Sequence, residues 1–336
     1  MNNTPQDLST AGGTRTAARI SGHGVFPVTV AIVTYRSINE LPYCLESLIN
    51  SDIYLKIVII DNNSPDDTFK LAEKYASRYE NVTALNTHRN VGLAAANNEV
   101  IPFIDGDYVL ILNPDTVVKP DSIAKMIEFM QKNQQVGVVG PKNLYENGMP
   151  HTSYHYGWSL WHLIVWRIFP YKYVRYLYDR YARYKESEVY FVSGACLLIK
   201  SDLFERIGGY DPSYFLTVED ACDLCRRVKS LGYSVVYYPE AEIFHLCGRS
   251  GAQVPYLTTL EGYKGSIYYF GKYYGSIGAW MAYIIVLFGC GIKLFISKLK
   301  ALVLGKKIHK DNAGAYTKIF VNLLKSGPKI SISNEH

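Results

Sequence analysis

Apolar residues in this chain fall into short strand-length runs that alternate with stretches of helical spacing. Val28 to Arg36 is rich in β-branched residues and ends in polar ones, the pattern of a buried strand. Leu41, Leu45, Leu48 and Ile49 follow at helical spacing, and a second strand, Leu55 to Ile60, runs directly into Asp61-Asn62-Asn63-Ser64. A later strand, Tyr108 to Leu112, runs into Asn113-Pro114-Asp115. The alternation predicts an α/β fold with a mainly parallel, doubly wound sheet and flanking helices, whose ligands bind beyond the carboxyl ends of the strands. Towards the C-terminal side, Leu224, Val228 and Leu231 form the apolar stripe of one more helix. Asp223 and Arg227 stand four apart as a surface ion pair, and Gly232 is positioned as a C-cap. Two strands are expected next, Tyr233 to Tyr238 and Ala241 to Phe244, followed by His245.

Carboxylates recur where these elements end. Asp61 and Asp115 each follow a strand, and Glu219-Asp220 lies where an aromatic loop, Gly209 to Leu216, becomes a helix. Each has a plain structural reading. Asn-Pro-Asp initiates turns, Thr217 to Asp220 fits a capping box, and a lone histidine such as His245 is commonly an interior residue. Each also has a chemical reading: strand-end carboxylates suit a hard divalent cation, and a carboxylate at a loop–helix junction can take a proton.

The order of the motifs is more specific than any one of them. Ile32-Val-Thr-Tyr35, Ile60-Asp-Asn-Asn-Ser64, Asn90-Val-Gly-Leu-Ala-Ala-Ala-Asn-Asn98, Leu112-Asn-Pro-Asp115, Ser193-Gly-Ala-Cys-Leu-Leu198 and the block Gly209 to Arg227 together resemble the inverting family 2 glycosyltransferases of GT-A fold, in their bacterial rhamnosyltransferase-like branch. The resemblance covers roughly residues 28 to 250. It implies that Thr34, Tyr35, Asp61 and Asn63 hold the pyrimidine base and ribose, and that Asn90, Gly92 and Asn113 lie along the nucleotide sugar. It further implies a divalent metal on Asp115, completed by His245, and Asp220 as the base that deprotonates the acceptor, with Glu219 beside it. Asn113 stands where the full Asp-x-Asp pattern has a carboxylate, which weakens the charge of the metal site. A carboxylate–imidazole pair leans towards Mn²⁺ over Mg²⁺. The donor implied is a pyrimidine nucleotide sugar, dTDP-rhamnose first, with UDP-galactofuranose, UDP-hexose or UDP-N-acetylhexosamine behind it. No Gln-x-x-Arg-Trp motif is present, so transfer is expected to be non-processive. Two other classes stay open at this stage: a noncatalytic membrane scaffold that keeps the fold, and a nucleotidyltransferase. The second would carry a glycine-rich phosphate loop after the first strand, where Thr34 to Asn39 has no glycine.

Composition adds the surroundings. The chain has 336 residues, 48% hydrophobic, with a formal net charge of +5, enough for one catalytic domain over 27–255 and appendages. Residues 1–26 lack periodicity and read as a disordered tail. The stretch 154–186 reads as an inserted helical segment rich in aromatic and basic residues, with Trp158, Trp161, Trp166, Arg167 and Arg175 among them. Residues 256–325 read as membrane-associated helices: Ser276 to Ile292 carries no charge and lysines follow it. That pattern suits a helix in the cytoplasmic membrane interface better than a clean span. It brings a lipid-linked glycan acceptor of the bacterial inner membrane within reach. Nucleic acid is not expected as a partner, and homo-oligomerisation is possible. Six scattered cysteines make no disulfide framework; Cys222, Cys225, His245 and Cys247 form only a loose zinc-like pattern. No apolar leader precedes the first strand, which fits a reducing cytoplasm.

Overall fold

A computed structural model of the chain describes residues 27–180, 185–246 and 255–328. The predicted alternation is realised as β1 (Val28–Thr34), α1 (Leu41–Ile49), β2 (Leu55–Asp61), α2 (Thr68–Arg78), β3 (Val82–Asn86), α3 (Leu93–Asn98), β4 (Tyr108–Leu112), β5 (Thr116–Val118), α4 (Ser122–Lys132) and β6 (Val136–Leu144). Short strands β7 (Pro150–His151) and β8 (Tyr154–His155) lead into α5 (Leu160–Ile168) and α6 (Tyr171–Arg180). Then come β9 (Ser187–Glu188), β10 (Phe191–Val192), β11 (Cys196–Lys200), α7 (Ser201–Arg206), α8 (Glu219–Ser230) and β12 (Ser234–His245).

The main sheet runs β3-β2-β1-β4-β11-β6-β12-β5. Its first four strands are parallel, as the sequence pattern requires, but β11 runs antiparallel to both β4 and β6, so the sheet as a whole is mixed. Every residue of β1 is buried, because the sheet is covered on both faces. Val30 and Ile32 join a core under α1 and α4, whereas Ala31 and Val33 join a second core with α8 and the C-terminal helices. Each buried Val or Ile among these contributes roughly 1.5 to 3 kcal/mol by leaving water.

β12 corrects the expectation of two separate strands. It is one strand with a register shift between Tyr238 and Glu242, where Pro239 falls at the irregularity that tolerates it. The shift lets the strand end pair with β5, so that His245 lies opposite Thr116. α8 keeps its predicted end, with Gly232 at φ +87° donating back to the Lys229 carbonyl. Its predicted surface ion pair is not on the surface: Asp223 is fully buried, and besides Arg227 (2.7 Å) it takes Lys272 (2.6 Å) and Tyr273 (2.7 Å).

The inserted segment is partly a core of its own. Trp158, Trp166, Tyr178 and Phe191 surround the ring of His155. Burial holds that imidazole neutral, pushing its pKa down to about 3. Only Trp161 of the three tryptophans is strongly exposed, together with Tyr173 and Tyr176.

Residues Pro255–Leu304 form α9 and Lys307–Ser326 form α10. By length and composition, Tyr256–Leu304 could cross a membrane. It is not one rod. Gly275 has φ +66°, outside the helical region and suited to glycine, and there the chain reverses. Lys293 Nζ reaches the Tyr263 hydroxyl at 3.5 Å, whereas thirty residues of straight helix would hold them about 45 Å apart. A Cβ at Gly271 would stand 3.3 Å from that of Ala279. α9 is therefore a hairpin whose arms, 255–274 and 276–304, pack on each other, on α5 and on α10. Ala282, Tyr283, Val286 and Cys290 face inward, and Ile277, Trp280, Ile284, Phe288, Phe295, Leu299 and Leu302 form an exposed apolar stripe on the return arm.

Candidate active site

A cleft of 260 Å³ opens at the carboxyl ends of β1, β2 and β4. Tyr35, Asn90, Gly92, Asn113, Asp115 and His245 all line it, so the fold brings six of the residues singled out in the sequence to one place. Thr34 and Asp61 lie just behind. Parallel register puts them opposite each other at the ends of β1 and β2, and the Thr34 hydroxyl donates to Asp61 Oδ1 at 3.0 Å. Asp61 is wholly buried and its other acceptor positions take the Ser64 hydroxyl (2.6 Å), the Ser64 N–H (2.9 Å) and the Asn86 amide (3.3 Å). This carboxylate pins the loop after β2. Asn63 is exposed, with a left-handed φ of +58°, and its neighbour Asn62 faces the cleft instead.

Asn62 is the link the sequence reading missed. Its side chain donates to Asn90 Oδ1 at 2.9 Å and accepts from the Val91 N–H at 2.9 Å, which joins the β2 loop to the Asn90–Gly92 loop. The signal was present in the Asp-Asn-Asn-Ser run, but a strand end does not announce which asparagine turns inward. Phe215, Leu216, Leu257 and Thr258 were also missed as cleft lining. They come from the aromatic loop and from the first turn of α9, and no local pattern announces a wall contributed from so far along the chain. Gly92 has φ +86°, and a Cβ there would meet Phe215 at 2.7 to 2.9 Å. Close backbone approach is thus required by the protein itself, with Leu93 N–H donating to the Phe215 carbonyl at 2.6 Å.

Asp115 and His245 are 130 residues apart in sequence and adjacent in space because β12 pairs with β5. His245 Nε2 lies 3.4 Å from Asp115 Oδ1, and the Leu246 N–H donates to the Asp115 carbonyl at 2.9 Å. The His151 ring lies tilted beside that of His245, with 5.5 Å between centroids. Among the described residues, no group of three or more His, Cys, Asp and Glu side chains converges as a closed metal cage. A carboxylate and an imidazole converging at an open cleft could hold a divalent cation only with further oxygen ligands from a bound molecule. Asn113 belongs to the backbone here: its N–H donates to the Ala195 carbonyl at 2.9 Å, and its carbonyl accepts from the Thr116 hydroxyl at 2.7 Å.

The acidic pair splits. The capping box, the plain structural alternative for Thr217 to Asp220, does not form. The Thr217 hydroxyl bonds the Glu219 carboxylate and accepts from the Glu219 N–H at 3.3 Å, while the N-cap position falls on Val218. Glu219 is buried and fully engaged, with the Ser266 hydroxyl 2.6 Å from Oε1 and the Arg167 guanidinium at 3.6 Å. Asp220 is buried as well, but among the described residues its Oδ2 has no hydrogen-bond partner; Oδ1 accepts from the Ala221 N–H. Burial pushes the Asp220 carboxyl up to about 7, the Ala221 bond opposes that rise, and nearby Glu219 and Asp223 reinforce it. Asp220 follows the cleft residue Leu216 by four positions and is not itself part of the lining.

Among the described residues, no cysteine lines the cleft. Cys222 and Cys225 are buried thiols whose pKa values burial raises, that of Cys225 to about 12. Cys247, like residues 1–26, lies outside the described residues.

Residues 29–208 match the family model described as glycosyl transferase family 2. The N-acetylglucosaminyl-diphospho-decaprenol L-rhamnosyltransferase of Mycobacterium tuberculosis is 30% identical over 260 residues, covering 72% of this chain and 82% of that protein. Rhamnosyltransferase WbbL of Escherichia coli is 24% identical over 225 residues, covering 65% of this chain and 83% of the relative. Among solved structures, the mannosyltransferase PcManGT of Pyrobaculum calidifontis, in complex with GDP-Man and Mn²⁺, superposes with a TM-score of 0.52 over 90% of this chain and 87% of that one, at 14% identity. That last likeness concerns the fold alone.

Proposed function

The chain belongs to glycosyl transferase family 2 and is a glycosyltransferase, and from that premise we propose that it moves one sugar, with inversion, from a pyrimidine nucleotide donor to a hydroxyl of a lipid-linked glycan. The observation that carries the reading is the convergence of Tyr35, Asn62, Asn90, Asn113, Asp115 and His245 on one cleft at the sheet's carboxyl edge. dTDP-rhamnose is the first donor to try. The resemblance points there, and the Mycobacterium and Escherichia relatives named above are rhamnosyltransferases, the former acting on a diphospho-decaprenol-linked N-acetylglucosamine.

In this scheme the pyrimidine nucleotide lies along Tyr35 and the Asn62–Asn90 bridge, with Thr34 and Asp61 holding the loop behind them. Asp115 and His245 would hold a divalent metal, preferably Mn²⁺, which when bound neutralises charge on the donor diphosphate. The acceptor hydroxyl enters beside Leu216, and Asp220 Oδ2 takes its proton. The oxygen forms its bond to the anomeric carbon as the bond from that carbon to the diphosphate breaks on the opposite face, so one displacement inverts the configuration. An aspartate pushed up to about 7 suits a base working near neutral pH. Because Asp220 is buried in this structure, the scheme needs its carboxylate to become accessible when the acceptor binds.

The exposed stripe of the return arm and the lysines around it fit a bilayer interface. Between Gly262 and Ser326 the chain holds ten lysines and one carboxylate, Asp311. We place this face on the cytoplasmic leaflet, where anionic headgroups meet the lysines and apolar side chains enter the acyl boundary. The first arm of the same hairpin supplies Leu257 and Thr258 to the cleft, so the acceptor hydroxyl is presented next to the lipid surface. Incubation with each nucleotide sugar and a polyprenyl-diphospho-N-acetylglucosamine acceptor tests this reading: dTDP-rhamnose should give a single-sugar product of inverted anomeric configuration. Retained configuration, or no product from any pyrimidine donor, would overturn it.

A further inference from the structure

Glu219 and Asp220 are neighbours in sequence, yet the fold turns them to different partners. Asp220 lies near Tyr210 and Cys225. Glu219 faces the hairpin, where Arg167 of α5 and Ser266 of the first arm meet its carboxylate. The Arg167 guanidinium also donates to the Gly262 carbonyl at 2.7 Å and to the Ser266 hydroxyl at 2.6 Å, and lies 5.0 Å from the centre of the Tyr263 ring. The return arm closes on the same residue: a Cβ at Gly289 would stand 2.8 Å from the Arg167 carbonyl oxygen. One arginine from the insertion thus ties both arms of the hairpin to the first turn of α8.

Resting on the reading of Asp220 as the base, we infer that Arg167 is a positioning residue for transfer: it holds Glu219 against the hairpin, fixes the first turn of α8, and neutralises the carboxylate beside the base. The other ionisable groups facing the pair are Asp223, Cys222 and Cys225 on α8 and Tyr210 and Tyr214 on the loop before it. Asp223 is itself neutralised by Arg227 and by Lys272 of the first arm. Among the described residues, that leaves Arg167 as the cation opposite Glu219. Glu219 raises the pKa of Asp220, so removing its counter-ion moves the ionisation of the base upward and removing Glu219 moves it downward.

The test is the pH profile of kcat for the full-length protein with dTDP-rhamnose and the lipid-linked acceptor. Arg167→Gln should shift the acidic limb up by roughly 0.5 to 1 pH unit and lower kcat at pH 7 while leaving the donor KM within about twofold. Arg167→Lys should restore the limb, Glu219→Gln should move it down, and the double variant should return it close to wild type. A limb that stays put in Glu219→Gln, or an Arg167→Gln loss that is uniform across pH and persists undiminished in the Glu219→Gln background, would overturn the inference. Glu219→Gln keeps the shape of the side chain and decides the matter even if Arg167→Gln does not fold. Failure of the underlying reading looks different: Asp220→Asn would then retain transfer.

Discussion

Asp220 carries two predictions of opposite kind. As base it must be ionised, so transfer should rise with pH through about 7, and Asp220→Asn should abolish transfer while binding donor as the wild type does. As a buried acid whose folded pKa lies above its unfolded value, it binds more protons in the folded state between the two values. Its contribution to stability is therefore lost as pH rises towards 7. Asp220→Asn should unfold at a higher temperature than wild type at pH 8 and show little advantage at pH 4, read by thermal melts at both pH values. An advantage that does not grow with pH would count against the buried, unpaired carboxylate. At this scale the sequence conveyed residue types and their order well, because motif spacing reflects strand ends. It conveyed side-chain direction poorly. Asn63 and Asn62 are equivalent on paper, and a left-handed backbone at the first turns the second into the cleft.

Among the elements, the loop Asn90–Gly92 and the aromatic loop before α8 form one unit through Asn62, Gly92 and Phe215. Gly92→Ala puts a methyl against Phe215 backbone and ring at a positive φ. It should destabilise the protein by about 1 to 3 kcal/mol and weaken donor binding with it, measured by denaturant melts and by calorimetry. Wild-type stability in that variant would mean the loops separate freely in solution. The parallel half of the sheet was legible from the strand–helix alternation, since each run is buried on both faces and must be apolar. The antiparallel β11 and the continuous β12 were not. Strand direction is set by connections and by the Pro239 irregularity, neither of which alters periodicity. The capping box failed for a related reason: Thr217 found a nearer partner in Glu219, which is held by the hairpin.

For the molecule as a whole, the hairpin at Gly275 decides which apolar surface of the C-terminal region is exposed. Tyr256–Leu304 is long and apolar enough to cross a membrane, yet the reversal leaves the first arm packed on the rest of the fold and the return arm with a single outward stripe. Only contacts distant in sequence disclose this, such as Tyr263 with Lys293. Phe295→Glu combined with Leu302→Glu should weaken sedimentation with vesicles containing anionic phospholipid at least tenfold, and leave turnover of a soluble acceptor analogue intact. Undiminished sedimentation would locate lipid contact elsewhere, with the exposed Trp161, Tyr173 and Tyr176 of the insertion as the remaining aromatic face. The central claim is that the Asp115–His245 cleft binds a pyrimidine nucleotide sugar with a divalent metal, and calorimetric titration of dTDP-rhamnose with and without Mn²⁺ tests it most directly. The account predicts Mn²⁺-enhanced binding that Asp115→Ala abolishes and Asp220→Asn retains. Binding indifferent to Mn²⁺ and to Asp115→Ala, or equal loss in both variants, would contradict it.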